Sequence, residues 1–180
     1  INSIKWSCRP ITKFLAGHSD VTLGYVAARE PGLRTAIYDA AVTWGTTPSP
    51  FDCWLAERGL HTFDLRFEKA QATAAALADA LAGRDGIRQV IYPGRADHPQ
   101  HNRAGTLFGG QFGNMLSFEI EGGRDEVNSF VMNAGGIPFA PTLGDVGCTL
   151  SHPASSSHRA LTEEGRAALG ISEGYFRLSV

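Results

Sequence analysis

Residues 12–20 read T-K-F-L-A-G-H-S-D, and the group in them with most chemical capacity is the amine of Lys13. Most lysines are solvated surface charges. Here Thr12 offers a hydroxyl suited to a phosphate oxygen, and Phe14 and Leu15 offer apolar cover that favours a nucleophilic amine. Gly17 and Gly24 let the backbone turn tightly. Together they suit an amine that bonds covalently to a cofactor carbonyl.

At the other end of the chain, Y-F-R-L-S-V alternates. Phe176, Leu178 and Val180 share one strand face, and Tyr175, Arg177 and Ser179 share the other. A guanidinium fork held on such a face can grip a carboxylate through two parallel bonds. The histidines offer less. In H-P-Q-H, Pro99 breaks the helical geometry that would bring His98 and His101 to one metal, and His152 and His158 flank a serine-rich loop without a completing carboxylate or thiol. No metal is expected. Ser19, His18 and Asp20 are adjacent, so they cannot line up as a nucleophile–base–acid relay. G-H-S-D is expected to shape the turn after the lysine instead.

The elements that position these groups follow from pattern. V-T-L-G-Y-V-A-A-R (21–29) reads as a buried strand. Residues 32–45 carry Leu33, Ile37, Ala40, Ala41 and Trp44 at helical spacing. Ser49 as N-cap and Pro50 at the first position begin another helix, which Gly59 is expected to close. A long helix is predicted from Asp64 to Leu81, ending at Gly83, with Phe67, Ala70, Ala74, Leu77 and Leu81 as its stripe. Strands follow near 87–93 and 114–122, then a helix near 124–134, a loop through 142–153, a helix over 158–170 and the strand 175–180.

The chain has 180 residues, 43% hydrophobic and 19% charged, with a formal net charge of −2. That balance gives no basic field for nucleic acid and no acidic tail. Three distant cysteines, Cys8, Cys53 and Cys148, form no framework or CxxC pair, and a reducing, cytoplasmic setting is expected. No long apolar run suggests a membrane. The sequence starts without Met and stops on a strand-like run, so both ends read as cut from a longer protein.

T-K-F-L-A-G-H-S-D-V-T-L-G resembles the cofactor-lysine motif of the Cys/Met-metabolism pyridoxal-phosphate enzymes, roughly S-x-T-K-[FY]-x-x-G-H-S-D, and its fixed positions from Thr12 to Asp20 match. The likeness continues in collinear blocks through 49–66, 90–101, 109–120, 151–158 and 170–180. It implies an α/β, fold-type I PLP-dependent transferase. Residues 1–66 would be the C-terminal part of the large PLP-binding domain, with a mostly parallel sheet, and 67–180 the small α+β domain. The cofactor implied is pyridoxal 5'-phosphate, bonded to Lys13, with Thr12 toward its phosphate. Arg177 would bind the substrate α-carboxylate. Thr149 would stand for the family's pocket serine, with Cys148 the alternative.

The implied activity is transsulfuration chemistry of the cystathionine γ-synthase, γ-lyase or O-acylhomoserine sulfhydrylase type: γ-elimination or γ-replacement on a homoserine- or cystathionine-like amino acid. The implied assembly is a homo-oligomer, a dimer of dimers. The sequence also departs from the pattern. Pro10 replaces the serine ahead of the lysine, and Asp145 stands in a loop that lacks the family's glutamate. The phosphate loop, ring-stacking tyrosine and pyridine-binding aspartate that precede the lysine in the family have no counterpart here. The alternative expectation is therefore a catalytically dead fragment that acts as a folding or oligomerisation module.

Overall fold

The structure, a computed structural model, describes residues 5–180, so the first four residues of the atypical opening lie outside it. The chain divides into two compact units, the first ending at Asp64 and the second running Leu65–Val180.

In the first unit, β1 (Trp6–Pro10) pairs antiparallel with β2 (Gly24–Ala28), in register from Trp6 opposite Ala28 to Pro10 opposite Gly24. α1 (Pro31–Trp44) packs against β2. Gly45 ends α1 at φ 66°, and its N–H and that of Thr46 return to the Val42 and Ala41 carbonyls. α2 (Pro50–Leu60) begins as its sequence predicts: the Ser49 hydroxyl accepts the Asp52 N–H at 3.1 Å, and Pro50 follows the cap. A small core of Ala16, Val21 and Leu55, flanked by Ile11 and Leu23, joins the turn after β1 to α2.

Two expectations are corrected here. The segment 21–29 is not a buried strand in a parallel sheet. Only Gly24–Ala28 is strand, it is antiparallel, and it is mostly exposed, because β1 and α1 are its neighbours among the described residues. The stripe on α1 is correspondingly open, with Trp44 80% exposed. Gly59 does not close α2. It lies buried inside the helix, where a Cβ would overlap the Ala16 backbone. The residue is glycine so that two backbones can touch.

α3 (Phe63–Ala82), the long helix expected, starts two residues before the second unit and otherwise lies in it; Ala70, Ala74 and Ala78 are its buried residues, and Leu77 and Leu81 flank the core. A four-stranded antiparallel sheet follows in the order β3-β4-β6-β5: β3 Ile87–Ile91, β4 Met115–Ile120, β5 Thr149–Ser151 and β6 Tyr175–Ser179. Its apolar face presents Leu116, Phe118, Leu150, Phe176 and Leu178 to Ala74, Ala78 and Val127. Phe118 stacks on Phe176 with centroids 5.5 Å apart, and Phe130 of α5 (Arg124–Asn133) closes on both rings.

β5 lies within the run 142–153 expected as a loop, and α4 (His101–Phe108) falls between the expected strands, where the sequence predicts no element. α4 lacks a side-chain cap, and β5 is three residues long beside a glycine-rich run. The last helix is shorter than its apolar spacing suggests. α6 covers Glu163–Ala168 because the Thr162 hydroxyl accepts the Gly165 N–H at 3.2 Å and starts the helix there. His158–Leu161 form turns, and Gly170, at φ 71°, closes the helix as expected.

Candidate functional site

Lys13 sits on the turn that follows β1. The Ile11 and Thr12 N–H groups both donate to the Leu23 carbonyl, at 2.7 and 3.1 Å, which ties the start of the turn to the residue before β2. The Ala16 N–H donates to the Ile11 carbonyl, and the Gly17 N–H to the Lys13 carbonyl at 2.8 Å, which closes the turn. Gly17 and Ser19 both have positive φ, at 79° and 53°. The His18 Nδ1–H donates to the Ala16 carbonyl at 2.7 Å, and Asp20 pairs with Arg58 of α2 at 2.6 Å. Arg58 also lies over the Trp54 ring, 5.5 Å from its centroid. Ala16 rests on Gly59. As the sequence pattern suggests, G-H-S-D is scaffold: His18 serves the turn and Asp20 its seat on α2.

The Lys13 side chain is half-buried, and its amine has no hydrogen-bond or ion-pair partner among the described residues. Thr12 is differently placed. Its hydroxyl accepts the Leu23 N–H at 2.8 Å and donates to the Leu23 carbonyl at 3.2 Å. That carbonyl also holds two amide N–H groups, so the Thr12 O–H can swing to a phosphate oxygen and lose one long bond.

Arg177 lies on the polar face of the second unit's sheet. In register with it are Ser117 of β4 and Ser151 of β5; Ser179 is two residues on, with Thr149 of β5 opposite. Arg177 Nη2 donates to the Thr142 carbonyl at 3.2 Å, and the Thr149 hydroxyl donates to the same carbonyl at 3.3 Å. The structure thus brings together the two residues predicted to bind substrate, through a backbone oxygen that sequence reasoning did not single out. The Arg177 Nε is buried without a hydrogen-bond partner among the described residues. An unpaired donor of a guanidinium in such a setting is costly unless a ligand engages it. Cys148, the alternative to Thr149, is a free, half-buried thiol.

His152 is 2% exposed and fully partnered. A carbonyl can only accept, so the His152 Nε2–H donates to the Glu173 carbonyl at 2.7 Å and Nδ1 accepts from the Ser155 hydroxyl at 2.9 Å. It is a core histidine packed on Phe176. His101 Nδ1–H donates to the Pro93 carbonyl and its ring stacks on Phe112, while His98 Nδ1 accepts the Gln100 N–H. Among the described residues no cluster of three His, Cys, Asp or Glu can hold a metal ion, and no helix is long and apolar enough to cross a membrane.

The model of the Cys/Met metabolism PLP-dependent enzymes matches residues 5–180. The chain belongs to that family. It is 41% identical over 172 residues to cystathionine beta-lyase MetC of Bacillus subtilis, a match covering 94% of this chain and 43% of the relative. It is 37% identical to O-succinylhomoserine sulfhydrylase of Pseudomonas aeruginosa, covering 94% of this chain and 41% of that protein. Among solved structures, cystathionine gamma synthase from Xanthomonas oryzae pv. oryzae, in complex with aminoacrylate and cysteine, superposes with a TM-score of 0.87 at 42% identity, over 99% of this chain and 46% of that one. Yeast cystathionine gamma-lyase gives 0.89 at 33% identity, over 98% and 45%. The fold is that of fold-type I PLP enzymes. The chain spans less than half the length of the relatives it matches.

The residues present fit the aldehyde end of the family's cofactor. Lys13 is an amine with no carboxylate partner among the described residues, on a turn fixed by backbone bonds, and the hydroxyl of Thr12 beside it can re-aim by giving up its 3.2 Å bond to the Leu23 carbonyl.

Proposed function

We propose that this chain is the lysine-bearing and carboxylate-gripping part of a pyridoxal 5'-phosphate enzyme of sulfur amino-acid metabolism. Its reaction eliminates or replaces the γ-substituent of a homoserine- or cystathionine-like amino acid. Residues 1–66 are the end of the large cofactor domain and 67–180 the small α+β domain. The whole protein works as a cytoplasmic homo-oligomer, a dimer of dimers.

The observation that carries this reading is the Lys13 amine, unpartnered among the described residues on a turn that Thr12, Gly17, His18 and Asp20 hold in place. When bound, pyridoxal 5'-phosphate supplies the aldehyde that Lys13 holds and an electron-accepting ring. Thr12 donates its hydroxyl to the phosphate. Arg177 takes the substrate α-carboxylate, with Nη2 already anchored on Thr142 and Nε free to form the second prong. Thr149 lines the same spot and limits how the carboxylate can sit. Lys13, once released, moves protons at the substrate Cα and Cβ.

Selectivity tests the proposal. The chain has three lysines, Lys5, Lys13 and Lys69. Lys5 is paired with Glu30 at 3.6 Å and is exposed, and Lys69 is exposed on α3. Borohydride reduction in the presence of the cofactor, followed by peptide mass spectrometry, is expected to leave a pyridoxyl group on the Lys13 peptide ahead of the other two. Equal labelling of the three would show that position 13 is an ordinary surface amine.

A further inference from the structure

The polar face of the second unit holds a fully buried hydroxyl that the proposed chemistry does not use. Ser179 is 0% exposed, yet β6 needs no hydroxyl for its packing, since Phe176, Leu178 and Val180 fill the apolar side. The Ser179 Oγ accepts the Gly144 N–H at 3.0 Å. Gly144 is buried at φ 78°, a conformation that favours glycine, and lies two residues after Thr142. The Thr142 carbonyl receives both Arg177 Nη2 and the Thr149 hydroxyl. One strand therefore supplies both the guanidinium and the hydroxyl that fixes the loop steering it.

We infer that Ser179 is a positioning residue for Arg177: by holding Gly144 it sets where the Thr142 carbonyl stands, and so the angle at which the guanidinium fork meets a carboxylate. The inference rests on the reading of Arg177 as the carboxylate-binding group. Without the Ser179 oxygen, the buried Gly144 N–H loses its acceptor, the loop shifts to find another, and the carbonyl moves with it. Arg177 then loses its anchor while the sheet behind it stays paired.

Arginine side-chain NMR on the 15N-labelled full chain tests this. The Arg177 Nε–H signal is assigned by its loss in Arg177→Lys. In Ser179→Ala that signal is expected to shift, and the Gly144 amide to exchange about tenfold faster, the size of one lost hydrogen bond. The amides of Leu116 and Phe118 in β4 are expected to keep their protection. Ser179→Thr, which retains an acceptor oxygen, is expected to restore both readouts. A purely structural serine would loosen β4 together with Gly144. An unmoved Arg177 signal in Ser179→Ala, a Ser179→Thr that restores neither readout, or failure of both variants to fold overturns the inference. Titration with L-homoserine keeps the two readings apart. If the wild-type Arg177 signal ignores the amino acid, the carboxylate reading falls, while the comparison of Ser179 variants still decides the positioning.

Discussion

Gly59→Ala is the substitution that probes the seat of the lysine turn most directly. In an isolated helix it stabilises by roughly 1 kcal/mol, because alanine has less backbone entropy to lose. Here a Cβ at position 59 would stand 2.7 Å from the Ala16 Cα and 2.9 Å from its carbonyl carbon, and nearer still to the oxygen. Carbon atoms pack at about 3.5–4.0 Å, so α2 and the turn must separate by about 1 Å. The neighbour is backbone, which cannot turn aside as a side chain would. Overpacking of this kind costs about 1–3 kcal/mol. Separation also opens the contact among Ala16, Val21 and Leu55. With the roughly 1 kcal/mol of propensity subtracted and the opened apolar contact added, the net expected loss is about 1–2 kcal/mol.

Hydrogen exchange at the Ala16 and Gly17 amides reads this loss where it acts, since those two bonds close the turn around Lys13. A loss of that size should raise their exchange by a factor of about 5–30. Pyridoxyl labelling of Lys13 should fall with it. Gly32→Ala in α1 is the control: nothing lies within 4 Å of its added Cβ, so it should leave these amides alone. If Gly59→Ala raises stability as an exposed helix glycine would, and the two amides stay protected, the docking of the turn on α2 is refuted.

Two other perturbations test the second unit. The Glu126 carboxylate accepts the Gly123 N–H at 2.7 Å ahead of α5, and that bond holds its pKa below the ordinary 4.5. A lowered folded-state value means the stabilisation is complete above the ordinary carboxylate range and is lost as pH falls through the folded value. Urea unfolding of Glu126→Gln against wild type should therefore show a deficit at pH 7 that disappears in acid, and a deficit that persists in acid would contradict this. His152→Phe keeps the contact with Phe176 but strands the Glu173 carbonyl and leaves the Ser155 hydroxyl only its longer bond to the residue 152 carbonyl, at 3.3 Å. It should cost about 1–3 kcal/mol in urea unfolding, and an unchanged midpoint would count against His152 as a core strut.

Local signals were legible where one short pattern decides. Ser49-Pro50 marks a helix start by itself, and the alternation in 175–180 puts Arg177 opposite the apolar face without further knowledge. Gly59 was misread because a C-terminal glycine and a close-approach glycine are the same letter; only the partner backbone, more than forty residues earlier in the chain, distinguishes them. The strand at 21–29 was over-buried for a related reason. Its run of apolar residues records a preference for cover, whereas burial depends on which elements lie beside it. β5 went unseen because its neighbours T-L-G-D-V-G carry turn residues, and its pairing with β6 is tertiary.

The same reasoning explains why the substrate-side arrangement was half visible. Thr149 and Arg177 were named from a resemblance in side chains, but what joins them is a main-chain oxygen, and carbonyls leave no mark on a sequence. The available clue was the repeated L-S: T-L-S in β5 and R-L-S in β6 each alternate a polar residue, leucine and serine. Antiparallel pairing sets Thr149 against Ser179 and Ser151 against Arg177. The four polar side chains then share one face, and Leu150 meets Leu178 on the other. Two short alternations, each weak alone, specify a polar patch once they are paired. A buried patch of that kind holds together only if its donors are matched to acceptors. The loop 142–144 supplies them, with the Thr142 carbonyl for two donors and the Gly144 N–H for the Ser179 oxygen. The Arg177 Nε is left as the buried donor on that face without a partner among the described residues, and that is where the proposed function puts a substrate carboxylate.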